Sequence, residues 1–275
     1  MNAVITGNLE LDYAGSEAMN TICSNLLFAG RNIRKIVITS CDPDDGKSFI
    51  AMQIAVNMAK RGKRTLLIDA DMRLSVLNTR YGIQLSGKRM GLSHFLSGQC
   101  SLEEVLYQTD LPNVFLVPVG SIVQAPLSLI GTPDFDQMIR DLGENFELII
   151  IDAPPIGRVI DAAEIARSCD GSILVLEYGK THIRALQEAK QQMERTGTPI
   201  LGCILNKVMT ERWGIKKYYK GRYRKRYGYG KYGYGKYGYS KYGYSKYGYS
   251  KYGYGRYGNE KEADRNNPDA GTKNE

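Results

Sequence analysis

The octet Cys41-Asp42-Pro43-Asp44-Asp45-Gly46-Lys47-Ser48 follows a short β-branched run and opens a helical pattern. That is the context a phosphate-binding loop needs. Gly46 lets the backbone approach a phosphate, and the helix start offers unpaired N–H groups and a positive dipole end. Lys47 supplies a point charge to β- and γ-phosphates, and Ser48 a hydroxyl to Mg²⁺. The candidate cradle is therefore Asp44, Asp45, Gly46, Lys47, Ser48 and Phe49. Cys41 stands where the usual pattern has its first glycine. The two aspartates are unusual in an anion-binding loop, so their side chains must point outward or reach metal-bound water. Taken alone, the octet also fits a turn opening an ordinary helix.

Two further segments weigh against that plain reading. Leu66-Leu67-Ile68-Asp69-Ala70-Asp71-Met72-Arg73 puts carboxylates just past an apolar strand, and Leu148–Ile151 ends in Asp152 before Ala153-Pro154-Pro155. In a parallel sheet the strand C-termini share one edge, where ligands bind. Asp69, Asp71 and Asp152 are thus expected to converge on Lys47 and Ser48. Carboxylates beside a phosphate cradle suit a hard, oxygen-seeking cation such as Mg²⁺. Ser48, Asp71 and Asp152 are the candidate metal ligands, and one carboxylate remains to orient or deprotonate an attacking hydroxyl. Each aspartate alone could be a strand-end cap.

The elements that would position these residues follow from apolar patterning. Lys35–Thr39, Thr65–Ile68, Val114–Val117, Leu148–Ile151, Ser172–Leu176 and Ile200–Leu205 read as strands. Ser48–Lys60, Ser101–Tyr107, Asp134–Glu144, Ala162–Ser168 and Ile183–Thr196 read as helices. Strands apolar on both faces, alternating with helices, predict an α/β P-loop fold: a mostly parallel sheet covered on both sides. Residues 1–33 read as a leader with one helix, Ser16–Ala29, whose apolar side carries Ile22, Leu26 and Leu27. Residues 34–211 read as the ATP-binding domain.

From Arg212 the composition changes. Residues 228–257 are six copies of Gly-Tyr-(Gly/Ser)-(Lys/Arg)-Tyr, and sixteen of the twenty tyrosines lie between Tyr218 and Tyr257. Leu, Ile and Val are absent after Ile215, so residues 212–275 are expected to be a disordered tail. The net charge of +8 is uneven: residues 212–259 carry fourteen basic residues and no acid, and residues 260–275 hold three basic and five acidic residues, which leaves residues 1–211 at −4. The basic character is a property of the tail. The five cysteines are scattered and form no CxxC pair, which fits a reducing compartment. Neither a signal peptide nor an apolar run of spanning length is present, so a cytoplasmic protein is expected, with any membrane attachment made through a partner.

These residues resemble the bacterial tyrosine kinase family, P-loop kinases that regulate capsule and exopolysaccharide synthesis. The resemblance covers about residues 16–211, and the tail extends it. It rests on Pro43 before Gly46-Lys47-Ser48, on Asp-x-Asp-x-Arg at 69–73, and on the Walker B run ending at Asp152 with Pro154-Pro155. Gly91-Leu92-Ser93, Leu96-Ser97-Gly98, Asp161-Ala162 and Leu205-Asn206-Lys207-Val208 are also similar. It implies ATP and Mg²⁺ as cofactors, Lys47 on the phosphates, and Ser48 and Asp152 on the metal. Asp69 and Asp71 would serve metal binding and tyrosine activation, and Asn206 would lie on the adenine side. The implied substrates are the tail's own tyrosines: Tyr227, Tyr229, Tyr232, Tyr234, Tyr237, Tyr239, Tyr242, Tyr244, Tyr247, Tyr249, Tyr252, Tyr254 and Tyr257. The implied partners are a membrane-bound adaptor resembling a polysaccharide co-polymerase, a counteracting tyrosine phosphatase, and further copies of the chain. The adaptor would recruit the protein to the inner face of the plasma membrane, as in the split arrangement in which the kinase carries no membrane-spanning part of its own. One departure stands out. The family's N-terminal helix usually carries Glu-x-x-Arg-x-x-Arg, which helps assemble rings, whereas Glu17 here is followed by Asn20 and Cys23.

Two other readings compete. Partitioning and septum-positioning ATPases share this fold but carry a lysine second in the loop, where this chain has Asp42. A binding module would use the basic, aromatic tail on single-stranded nucleic acid or an anionic membrane. The partitioning ATPases offer no reason for sixteen clustered tyrosines. In a binding module the tyrosines would stack on bases, and phosphotyrosine formed with ATP and Mg²⁺ separates that reading from a kinase. Nucleic acid is not expected as the primary partner.

Overall fold

The computed structural model describes residues 1–208. The tail tyrosines Tyr227–Tyr257 and the expected boundary at Arg212 lie outside the described residues. The chain begins with β1 (Asn2–Ile5), α1 (Tyr13–Phe28), β2 (Lys35–Ser40), α2 (Lys47–Lys60) and β3 (Thr65–Asp69). It continues through α3 (Leu77–Tyr81), β4 (Ile83–Leu85), α4 (Leu92–Leu96), β5 (Tyr107–Thr109), β6 (Val114–Val117) and α5 (Leu127–Ile130). Then come α6 (Pro133–Asn145), β7 (Leu148–Asp152), α7 (Asp161–Ala166), β8 (Gly171–Glu177), α8 (Ile183–Glu194) and β9 (Ile200–Asn206).

The strands form one sheet in the order β4-β1-β5-β6-β3-β7-β2-β8-β9. Only β1/β4 and β5/β6 pair antiparallel; the other neighbours are parallel. The four central strands are Ile-, Leu- and Val-rich because both faces are covered. One face packs on α1 and α2 through Ile36, Ile38, Ile54 and Leu67. The other packs on α6, α7 and α8 through Val37, Ile68, Phe135, Ile165 and Met193. The fold class expected from the sequence is therefore observed.

Three local readings are corrected. Residues 1–33 are more than a leader with a helix, because β1 inserts between β4 and β5 and joins the same sheet. Its helix starts earlier, at Tyr13, where the Asp12 carboxylate caps it by accepting from the Gly15 N–H at 2.7 Å. The buried stripe of that helix is Met19, Cys23 and Leu26; Ile22 is only half-buried and Leu27 is exposed. Ser101–Tyr107 is a turn running into β5 rather than a helix. Tyr107 is drawn into the core as a strand residue opposite Leu116, and its hydroxyl donates to the Met90 carbonyl at 3.1 Å. Among the described residues no helix is long and apolar enough to cross a membrane.

Candidate functional site

The parallel strands β3, β7 and β2 bring their C-terminal ends to one edge. There the turn after β2 wraps back to start α2. Gly46 caps that helix with φ 97, and a Cβ at that position would sit 2.0 Å from the Asn206 Nδ2. Only glycine fits both the dihedral and the space. Asn206, at the end of β9, donates from Nδ2 to the Asp45 carbonyl at 2.9 Å and so ties the last strand to the loop. Cys41 does not adopt a positive φ; Asp44, at φ 66, and Gly46 do. The missing glycine therefore costs the loop nothing. Burial pushes the Cys41 thiol up to about 12, with Asp45 and Asp42 adding to the effect, so it is an inert packing group.

The loop aspartates separate. Asp42 is neutralised by Arg158, whose Nη2 lies 2.7 Å from its carboxylate. Asp44 is exposed on the cleft wall. Asp45 folds back and accepts from the Asp42 N–H at 2.9 Å, so it braces the loop and does not line the cleft. A cleft of about 560 Å³ opens above the loop, lined by Gly46, Lys47, Ser48, Phe49, Asp71 and Asn206 among others.

Beneath it lie the three expected carboxylates. Asp69 and Asp152 are partners in register on β3 and β7, one strand spacing apart. Asp71 follows on the turn. Lys47 Nζ contacts Asp71 Oδ2 at 3.0 Å and Ser48 Oγ at 3.4 Å. Burial alone would lower the lysine's proton affinity, but Asp152, Asp71 and Asp69 outweigh it and hold the ammonium above its usual range. Asp69 is bonded by the Ser75 hydroxyl and by the Asp71 N–H at 3.3 Å. Its carboxyl is nonetheless pushed up to about 8, by burial first and then by Asp152. Asp71 Oδ1 accepts from the Leu74 N–H at 3.0 Å. Both oxygens of Asp152 are buried with no hydrogen-bond partner in range, and burial raises its carboxyl to about 6 although Lys47 and the Ser48 hydroxyl pull it down.

A buried, unpartnered carboxylate is costly unless something balances it. Asp152 and the Ser48 hydroxyl, beside Lys47, supply hard oxygen donors, so the residues present fit a magnesium ion. Among the described residues the three carboxylates do not make an all-protein metal cage. Mg²⁺ takes one or two protein carboxylates and fills the rest of its shell with water and substrate phosphates.

Four contacts were not foreseen as such from sequence. Arg73 forks onto Asp161, Nε to Oδ2 at 2.7 Å and Nη2 to Oδ1 at 2.9 Å, joining the turn after β3 to the start of α7. The Asp-x-Asp-x-Arg spacing and Asp161-Ala162 held both residues but not their pairing. The others are Arg158 on Asp42, Ser75 on Asp69, and Arg80 lying over the Phe49 ring at 5.0 Å from its centroid. These join segments far apart in the chain or depend on how a loop folds, so no spacing announces them.

A strand, a Gly-Lys-Ser turn at a helix start and an aspartate-ended neighbouring strand define a P-loop nucleotide-binding protein. A family model described as an AAA domain matches residues 33–196. The chain is 40% identical over 210 residues to the tyrosine-protein kinase CpsD of Streptococcus pneumoniae serotype 4, a match spanning 75% of this chain and 91% of that protein. The kinase domain of the Escherichia coli tyrosine kinase ETK is similar in structure, with a TM-score of 0.66 and 29% identity over 70% of this chain and 75% of that one. The septum site-determining protein MinD of Pyrococcus horikoshii, complexed with Mg-ADP, reaches 0.54 at 25% identity over 63% and 70% of the two chains. This chain belongs to the bacterial tyrosine-protein kinase family, and its enzyme class is protein-tyrosine kinase.

Proposed function

We propose that this kinase transfers the γ-phosphoryl group of ATP to tyrosines in the C-terminal tail of another copy, and so regulates capsule or exopolysaccharide synthesis. The observation that carries the reading is the Lys47 ammonium between Asp71 and the buried, unbonded Asp152, in a chain that carries sixteen tyrosines beyond residue 217. Lys47 leaves Asp71 for the entering phosphates, and its charge stabilises the transferring group. Its departure frees Asp71 Oδ2 to accept the tyrosine proton. The acceptor oxygen bonds to phosphorus as the bond to the ADP oxygen breaks. A magnesium ion, when bound, would neutralise charge on the phosphates, and Asp152 and Ser48 would hold it. Asp69 braces the turn through Ser75, and Gly46, Phe49, Asp44 and Asn206 shape the nucleotide cleft. The folded kinase unit is residues 34–211 together with the N-terminal strand and helix.

The same reading gives the partners. A membrane-bound adaptor brings the kinase to the inner face of the plasma membrane, a tyrosine phosphatase reverses the modification, and further copies supply the tails. The absence of both arginines after Glu17 means that copies associate through other contacts. The test is mass spectrometry of the full chain after incubation with ATP and Mg²⁺, beside Lys47→Met. Phosphate on several tail tyrosines of the wild type and none in the variant is the expected result. Near wild-type phosphotyrosine in Lys47→Met would overturn the assignment.

A further inference from the structure

We propose that Arg80 forms a second anion subsite at the rim of the cleft, which takes a phosphotyrosine already present on a tail and so presents a neighbouring tyrosine of that tail as the next acceptor. This rests on the tail-kinase reading above.

Three arginines line the cleft: Arg73, Arg80 and Arg158. Arg73 has two donors committed to Asp161, and Arg158 is paired with Asp42. Arg80 is different. Among the described residues it forms no ion pair with a carboxylate, and it is exposed at the end of α3. Its guanidinium lies over two rings instead, 5.0 Å from the Phe49 centroid and 5.9 Å from that of Tyr81. The ring contacts hold the fork in place, and among the described residues it reaches the Tyr81 hydroxyl but no acceptor of opposite charge. Phe49 follows Ser48 in the first turn of α2, so the fork stands beside the phosphate end of the cleft.

A planar fork without a carboxylate matches a phosphate monoester. The tail supplies such groups at regular distances. Its five-residue unit spaces tyrosines alternately two and three residues apart. In an extended chain these neighbours lie about 7, 10 and 17 Å from any acceptor, at about 3.3 Å per residue. The repeat region of the unmodified tail offers Arg80 no anion, since the tail's acidic residues all lie at 260–275. The first phosphate on a tail should therefore be added slowly and later ones faster.

The test uses the full-length enzyme and the peptide Gly-Tyr-Ser-Lys-Tyr-Gly-Tyr-Ser-Lys-Tyr, unmodified or carrying one phosphotyrosine. A roughly ten-fold lower KM for the phosphopeptide is expected, as for a charge-assisted bond. Arg80→Gln should bring the KM ratio of the two peptides to about one, and Arg80→Lys should restore part of it. Equal KM values in the wild type, or a ratio that survives Arg80→Gln, would overturn the proposal. So would a loss of ADP affinity in Arg80→Gln as large as the loss of the ratio, which would assign the guanidinium to the nucleotide. If the full chain modifies its tail but the two peptides behave alike, the subsite fails alone. If neither peptide nor tail is modified, the underlying reading fails with it.

Discussion

Asp152, beside the still more strongly raised Asp69, carries part of the unbalanced cost of the nucleotide-free site. Burial raises its folded value to about 6 from the ordinary 3.8. An acid raised in this way contributes stability that is fully present below about pH 4 and lost as pH climbs through 6. Asp152→Asn removes the charge, so without nucleotide it should be more stable than the wild type at pH 7.5, by about 1–3 kcal/mol. At pH 4 the two should converge. Urea unfolding at both pH values checks this, and equal stability at pH 7.5 would mean that the carboxylate is already compensated. Calorimetry with ADP should show the opposite consequence, since the variant should no longer bind ADP more tightly when Mg²⁺ is added. Asp71→Asn acts elsewhere. It removes the acceptor facing Lys47 and should abolish phosphotransfer while ADP binding persists, measured by a tail-phosphorylation assay beside calorimetry. Both carboxylates were legible in the sequence because Asp152 ends an apolar strand and Asp71 lies just past the end of another. Their separate states, one paired and one orphaned, were not, because they depend on where Lys47 settles.

At the scale of elements, the site is held by a helix start and two cross-ties. Gly46→Ala should show how tightly. Its Cβ would meet the Asn206 amide at 2.0 Å, in a dihedral that alanine resists. Nucleotide affinity should fall at least ten-fold, and stability by about 1–2 kcal/mol. Isothermal titration and thermal melts read the two effects, and a fully retained ADP affinity would show that the loop can move away from Asn206. Asp161→Ala should cost a similar amount by leaving the Arg73 fork unpaired, since the Asp161 side chain is only 1% exposed. Chemical denaturation measures it, and no loss of stability would show that water replaces the carboxylate. The long central strands and α2, α6 and α8 were readable because their periodicity is sustained. The short strands β1, β4 and β5 were not. They have three or four residues each, and their partners lie far away in sequence, as in Ala3 with Leu85 and Thr109. The turn at Ser101–Tyr107 has apolar residues at helical spacing, yet pairing with β6 won over local propensity, as it does when a side chain such as Tyr107 gains full burial.

At the scale of the molecule the charge is divided among residues 1–211 at −4, residues 212–259 at +14 and residues 260–275 at −2. Of the loop aspartates, Asp42 is paired with Arg158 and Asp45 is turned inward, which leaves Asp44 alone exposed on the cleft wall. Any attraction of the tail to the rest of the protein would be electrostatic and should weaken as salt rises. Each phosphate adds about −1.5 to −2 charges, so roughly seven to nine phosphates cancel the tail's charge and more reverse it. The tail should then leave any acidic surface of a neighbouring copy, and assemblies that depend on it should loosen. The repeat makes its tyrosines near-equivalent acceptors, so modification should be spread over many positions. Size-exclusion chromatography with light scattering, at low and moderate salt, compares unphosphorylated, phosphorylated and 1–211 protein. The expected order is a larger species for the unphosphorylated chain at low salt, and smaller, salt-insensitive species for the other two. Identical association states in all three, with a phosphate count that stays at one or two, would refute the charge switch and leave the kinase assignment standing.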